Sequence, residues 1–501
     1  MSTAYEQLLK LPDGSLVSSA HQLKRYARNN GPGAPAPGDT RTETERDRGR
    51  LSYSPFLRRL AGVTQVTSPD LTSTRLHSRG SHTHKVATIA REIAEHIARQ
   101  AATDDGIAQV ILDLGGLDIT ACEAAGLAHD LGHPPFGHAG EHQLDHELRE
   151  TARSKSLPEL EEGFEGNAQS FRIVTLLDGQ KLGGRGLDLT NVVLAAIQKY
   201  PYPRKPDLSK FGAYSSEVPT LDRCREAIIG DGWELSETQS LEASIMDLAD
   251  DIAYAVHDLE DFVGAGVIDL RQPLEAIRRA LDVLGGTASV HDNPFLSARE
   301  DLKKKNPAQF DDAAYRQALL WAKKLFKSDL PPIVGVATPN DAFALREALS
   351  DVIALLFRGI EVTADRPTPS SPYVTLSTGA WHRLQVLKAT TRRFLVMTPR
   401  MGIIQRAQTR AITTLYQGLV QWLSDAPEPS AIPPELKHYI TRAGVTLPTK
   451  DKDTGAVTLV AGHYRGIVDY ICGMSDSEAL LRSQWISGVE VPGMSTLGVP
   501  L

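Results

Sequence analysis

The chain has 501 residues, 41% of them apolar and 23% charged, which suits a globular protein with a sizeable core and excludes a disordered or fibrous one. Its formal net charge of −8 argues against broad coating of nucleic acid or an anionic membrane, while leaving room for a local cluster of positive charge. No apolar run is long enough to predict a membrane span, "MSTAYEQLLKLPDG" lacks the pattern of a secretory signal, and three scattered cysteines (Cys122, Cys224, Cys472) point to a reducing cytoplasm without disulfides or a thiolate metal site.

In chain order, "NNGPGAPAPGD" (29–39) lacks periodicity and reads as a linker, and the charged run "RTETERDRGR" (41–50) reads as a solvated segment. From Leu51 the pattern turns helical. In "HKVATIAREIAEHIARQ" (84–100), Val86, Ile89, Ala90, Ile93 and Ile97 form an amphipathic stripe. "ITACEAAGLAHDL" (119–131) is nearly all small or apolar and predicts a buried helix. "SLEASIMDLADDIAYAVHDLEDFV" (240–263) predicts a long one, its apolar face made of Ile245, Leu248, Ile252, Val256, Leu259 and Val263. Helical patterns continue in "LRQPLEAIRRALDVL", "YRQALLWAKKLF", "AFALREALSDVIALLF" and "QTRAITTLYQGLVQWL", whereas "PSSPYVTL" (369–376) suits a short strand or a loop. "HYRGIVDYICGMSDSEALLRSQ" (463–484) reads as one further helix. The fold class is mainly α with a small sheet. We divide the chain into an N-terminal segment (1–50), a helical core (51–270) and a largely helical C-terminal region (271–501).

The stretch "AHDLGHPPFGHAGEHQLDHE" (128–147) holds five of the fifteen histidines. His129 and Asp130 close a buried helix that Pro134 and Pro135 must end. Burying a carboxylate there is costly unless it is paired or metal-bound. A hard divalent ion accepts imidazole and carboxylate together and needs more than two ligands. Upstream, "RLHSRGSHTHKVA" offers His77, His82 and His84. Downstream, "MDLADDIAYAVHDLED" offers Asp247, Asp250, Asp251 and Asp258. Helical steps bring Asp247, Asp250, Tyr254 and Asp258 onto one polar face, and Tyr254 and Tyr214 suit the lining of a pocket. "HAGEH" (138–142) also matches the H-x-x-E-H signature of inverted zinc proteases. Gly140 weakens the helix that signature needs, and the motif leaves His129 and Asp130 unexplained.

The blocks "SYSPFLRRLAGVTQV", "SRGSHTHKVATIAR", "LAHDLGHPPFGHAGE", "GFEGNAQSFRIV", "QKYPYPR" and "MDLADDIAYAVHDLED" occur in this order, with a weaker C-terminal echo, "RGIVDYICGMSD". Together they resemble the deoxynucleoside triphosphate triphosphohydrolase (dGTPase-like) branch of the HD superfamily. The resemblance implies a helical HD core holding one divalent ion (Mg²⁺, Mn²⁺, Fe²⁺, Co²⁺ or Zn²⁺) on His82, His129, Asp130 and Asp250. His82 is preferred to His84 by the register of "VATIAR", although "SHTHKV" stands where the family reads "THSLEV". The implied reaction is hydrolysis of a dNTP, dGTP among them, at the α-phosphorus, giving a deoxynucleoside and tripolyphosphate. His138 is then the general acid/base, oriented by Glu141, with His133 and Arg79 meeting developing charge. Lys199, Tyr200 and Lys210 hold the triphosphate. Gln65, Tyr254 and Asp258 recognise the sugar, and Asn167 lines the site. His142 and His146 have no assigned role. Arg46 to Arg50 fall near the site mouth or a subunit contact. The family also implies a homo-oligomer and a nucleotide or single-stranded DNA effector. Two alternatives compete: another HD phosphohydrolase acting on nucleoside monophosphates or cyclic nucleotides, and a nucleotide-sensing HD module without turnover.

Overall fold

The computed structural model describes residues 4–29, 38–65, 78–179, 184, 186–230, 237–287, 292–330, 338–366, 368, 371–425 and 428–489; His77 and most of the Gly/Pro-rich stretch lie outside them. The fold is mainly α. The charged run is a packed helix, α1 (Glu43–Ser52), opened by a reciprocal cap between Thr42 and Glu45. Asp47 on its inner face is fully buried; it pairs with Arg28 at 2.5 Å and accepts from the Thr190 N–H at 2.8 Å. Arg46 is paired with Glu43, Arg48 with Glu123 and Arg50 with Asp188. None of residues 46–50 lines the cleft described below. The run is therefore packed rather than simply solvated, with Arg48 and Arg50 paired to residues of distant segments.

Three helices build the scaffold of the site: α2 (Arg79–Ala101), α3 (Ile119–Ala128) and α4 (His138–Lys155). Ser78 caps α2, and Asp118 caps α3 through the Ala121 N–H at 2.6 Å. The stripe Val86, Ile89, Ala90, Ile93 and Ile97 is buried, each large side chain contributing about 1.5–3 kcal/mol. At Gly126 a Cβ would stand 2.5 Å from the Cα of Ala87, so α3 can lie tightly on α2 only with glycine there. A short helix, α5 (Gly166–Arg172), and the long α6 (Leu241–Gly264) complete this half; Ser240 caps α6, and Ile245, Ile252, Val256 and Leu259 face the core.

The C-terminal region packs onto this frame. It includes α7 (Pro294–Lys305), α8 (Thr378–Thr391) and α9 (Pro399–Ser424). One apolar cluster joins Ile93 and Ile252 to Leu319, Leu356, Leu384 and Leu387, and another joins Leu144, Leu148 and Phe164 to Leu415, Leu436 and Ile467. Arg172 on α5 pairs with Asp469 at 2.9 Å and with Glu217 at 2.8 Å, all buried.

The single helix expected over 463–484 is two, α10 (Ala461–Cys472) and α11 (Asp476–Ile486). Gly473 ends the first, and Ser475 caps the second reciprocally with Glu478. The break turns Asp476 toward the N-terminal half, where it accepts from the Thr64 and Phe136 N–H groups at 3.0 and 2.7 Å. Among the described residues, sheet is confined to short antiparallel pieces. Leu8–Lys10 (β1), Leu16–Ser18 (β2) and Gly116–Leu117 (β3) form one ribbon; Ile360–Val362 (β4) pairs with Val374–Leu376 (β5), so "PSSPYVTL" ends as a strand.

Candidate active site

The close approach of α2 and α3 brings the rings of His82 and His129 to 5.9 Å between centroids. His129 Nδ1 stands 2.7 Å from the Gly126 carbonyl; donating there fixes the tautomer and leaves Nε2 as a lone pair. That Nε2 is buried with no hydrogen-bond partner. It lies 3.4 Å from Asp130 Oδ2 and 3.8 Å from Asp250 Oδ1, and His82 Nε2 lies 3.2 Å from the same Asp250 oxygen. Ligand-type atoms of His82, His129 and Asp130 fall within 4.8 Å of one another. A buried, unsatisfied imidazole nitrogen facing two carboxylates is the environment a divalent ion fits, so these four residues could hold one. His84 is exposed on the other face of α2, which removes it as an alternative ligand.

Charge balance supports ionised carboxylates. Burial alone would favour protonated Asp130, but Arg79, with Nη1 2.7 Å away, and the flanking imidazoles outweigh it and hold the acid well below its usual range. Burial is likewise outweighed at Asp250 by Lys199, whose Nζ is 2.9 Å from Oδ2. Lys199 also reaches Asp247 at 2.7 Å, so it is committed to carboxylates. Asp251 pairs instead with Lys388 of α8, at 2.7 Å.

Beyond the prolines, Phe136 and Gly137 have φ of +66° and +55°, a reversal that starts α4 at His138. The helix continues through Gly140. What defeats the zinc-protease reading is His142, which is exposed, as is His146. His138 Nδ1 lies 2.8 Å from Glu141 Oε2. Burial resists ionisation of Glu141, yet the bond to His138 with His133 and Lys210 nearby hold it well below the usual carboxylate range. His133 stands 3.1 Å from Asp130 and 5.4 Å, ring to ring, from His138; burial and Arg79 bring it down to about 4. His133, His138 and Glu141 form a second group of ligand-type atoms, but Arg79 and Lys210 beside them suit an anion rather than a second cation.

These residues line a cleft of about 720 Å³, within the range of small-molecule sites. Gln65, Arg79, Asn167, Lys199, Tyr200, Lys210 and Tyr254 all face it. Gln65 Oε1 is buried without a partner, whereas the Asn167 amide donates to Glu165 at 2.8 Å. Asp258 sits one turn deeper, off the cleft wall. Its Oδ2 is unpartnered, and burial, with Asp261 and Asp250 near, pushes it well above the usual carboxylate range. Tyr214 is not a lining residue: it is buried against Ala168 and Phe211.

Sequence reasoning missed two sets of residues. Glu165 caps α5 and holds Lys210 at 2.9 Å; its signal was an acidic residue directly ahead of "GNAQ". The opposite wall comes from the C-terminal region: Ser297, Asp301 and Lys305 of α7, Gln385 and Lys388 of α8, and Arg392 just beyond it. Gln385, Lys388 and Arg392 recur at helical spacing, but nothing in the sequence distinguishes that face from a solvated one.

Comparison with known proteins agrees with this layout. The HD domain family matches residues 79–255, which begin at Arg79 and include all four candidate ligands, and the phosphohydrolase-associated domain matches residues 374–484. The deoxyguanosinetriphosphate triphosphohydrolase-like protein 2 of Mesorhizobium japonicum is 29% identical over 474 residues, covering 88% of this chain and 92% of that protein. Proteins named deoxyguanosinetriphosphate triphosphohydrolase-like are 38% identical in Streptomyces coelicolor, over 46% of this chain and 49% of that protein, and 34% identical in Corynebacterium efficiens, over 57% and 64%. The last two matches thus span about half and just under two thirds of those relatives. The chain thus carries an HD domain followed by a phosphohydrolase-associated domain, the helical core and C-terminal region of an HD-type phosphohydrolase, and is similar over most of its length to a protein named dGTPase-like.

Proposed function

We propose that the cleft is the active site of a metal-dependent deoxynucleoside triphosphate triphosphohydrolase, with dGTP among its substrates. One observation carries the reading: a single cleft joins a His/Asp cluster with an unsatisfied His129 Nε2 to a histidine–carboxylate pair, with Arg79, Lys199 and Lys210 around both. A divalent ion on His82, His129, Asp130 and Asp250 would supply Lewis-acid polarisation of an α-phosphate oxygen and lower the pKa of a water.

The chain's own groups do the rest. His138, with Nδ1 tied to Glu141, presents Nε2 to move a proton at the reacting oxygens. Water bonds to the α-phosphorus, the bond from phosphorus to O5′ breaks, and O5′ takes the proton. Arg79 and His133 meet the charge that develops on phosphorus oxygens. Tyr200 and Lys210 attract the triphosphate, the lysine acting as a point charge, whereas Lys199 stays with Asp247 and Asp250. Gln65, whose Oε1 has no partner, suits the 3′-hydroxyl, Asp258 standing off the cleft wall, and Tyr254 packs under the deoxyribose, where a 2′-hydroxyl would crowd it. Asn167, held by Glu165, shapes the wall between them. The wall of α7 and α8 falls to the nucleobase.

Incubating the protein with Mn²⁺ or Mg²⁺ and each of the four dNTPs tests this directly. Tripolyphosphate should appear, with dGTP among the nucleotides consumed. Release of pyrophosphate or orthophosphate alone, or no turnover of any dNTP, overturns the reading. Assembly into a homo-oligomer and activation by nucleotide or single-stranded DNA belong to the same proposal. Solution mass, and rates with and without an effector, measure them.

A further inference from the structure

Lys210 lines the cleft, yet its ammonium already serves two partners. Nζ lies 2.7 Å from Glu141 Oε1 and 2.9 Å from Glu165 Oε1. The two carboxylates are only 4% and 1% exposed. Two like charges buried this close cannot both stay ionised without a cation between them. They are not equivalent. Glu165 is anchored as the cap of α5, accepting from the N–H groups of Asn167 at 2.5 Å and Ala168 at 3.1 Å. Glu141 stands on α4, spends its other oxygen on His138, and accepts, among the described residues, from one backbone N–H only, that of Gly166 at a longer 3.3 Å. Lys210 therefore fastens the carboxylate that orients His138 to one fixed by the backbone.

The loop that carries Lys210 is itself braced. Phe211 and Tyr214 are buried, the Tyr214 hydroxyl donates to the Glu165 carbonyl at 3.3 Å, and the Arg465 guanidinium of α10 lies 4.1 Å over the Tyr214 ring. Arg465 also donates to the Gly163 carbonyl at 3.1 Å. The C-terminal region thus backs the bridge from behind.

We propose that Lys210 is a positioning residue for the acid–base pair: by bridging Glu141 and Glu165 it keeps Glu141 ionised and turned to His138, in the absence of nucleotide as well as in its presence. The proposal deepens the reading above and rests on it only for the role of His138. An ammonium has three N–H donors, so two can serve carboxylates and a third a phosphate oxygen. A phosphate ligand acts only when nucleotide is bound; a bridge acts in the free protein.

The test is the ring ¹⁵N spectrum of His138 in histidine-labelled full chain with Mg²⁺ and no nucleotide, the signal identified by its loss in His138→Gln. Wild type should show the Nδ1–H tautomer. Lys210→Gln should give a mixture, Lys210→Arg should retain the wild-type signal, and Lys210→Gln/Glu165→Gln should recover it because the competing charge is gone. With dNTP, Lys210→Gln should lose kcat by about 10²-fold, the scale of acid–base catalysis, and the double variant should regain part of it. An unchanged spectrum in Lys210→Gln with loss confined to KM overturns the proposal. Where the single variant does not fold, a double variant that lacks the Nδ1–H signal overturns it equally. Because the spectrum needs no turnover, an inactive wild type would sink the hydrolase reading and leave the bridge to be judged on its own.

Discussion

The two walls of the cleft are built differently. On the HD side, His82, His129, Asp130, His133 and Arg79 are all buried, nearly every charge has a partner within 3.5 Å, and His138, though exposed, is tied to buried Glu141. On the opposite side, Lys305, Arg392 and Arg393 are exposed, and the Lys388–Asp251 pair is half-buried. Groups that must meet a phosphorus centre gain from being fixed and dry, since preorganised charge costs no rearrangement during the reaction. Groups that meet a nucleobase can stay solvated and adaptable, with weak individual contributions. The chemistry should therefore depend steeply on the first wall, and the choice of base shallowly on the second.

Removing Asp130 should have the largest effect. Asp130→Ala takes one carboxylate from the cluster and strands buried Arg79. Metal content and turnover should both vanish, and chemical denaturation should show a loss of about 3–5 kcal/mol. Retained metal would show that the ligand set is drawn wrongly. Glu141→Gln should lower kcat by about 10²–10⁴-fold while metal content stays at the wild-type level, separating acid–base chemistry from ion binding.

Lys388→Ala, on the opposite wall, should change stability by no more than about 1 kcal/mol, because its ion pair is partly solvated. It should alter the ranking of the four dNTPs by KM more than it alters kcat. A collapse in kcat would mean that the two walls are not divided as described. Smallest of all, His142→Ala should leave metal content and turnover unchanged, since the side chain points to solvent. Loss of metal there would revive the zinc-protease reading of "HAGEH".

The same division governs what was legible in the sequence. His129 and Asp130 stand out because they close a helix whose composition already marks it as buried, and a buried carboxylate needs a partner or an ion. The stripe on α2 and the apolar face of α6 follow from periodicity alone. Asp250 was separable from Asp247 and Asp251 only by resemblance. The structure distinguishes them by partners: His82 and Lys199 converge on Asp250, whereas Lys388 takes Asp251 from 137 positions away. Such distant pairings leave no mark on spacing, which is why the wall of α7 and α8 was invisible and why Lys199 looked available for phosphate. The break between α10 and α11 was readable, since "SDSE" is a reciprocal cap signal. Apolar periodicity running through Gly473 concealed it.

The division of labour stands or falls on attack at the α-phosphorus by water prepared on the HD wall. Hydrolysis of dGTP in H₂¹⁸O, with Mn²⁺ present, measures that directly. The account expects one ¹⁸O atom in the released tripolyphosphate and none in deoxyguanosine, because the bond from phosphorus to O5′ breaks. Label in the nucleoside, or release of pyrophosphate in place of tripolyphosphate, would contradict it.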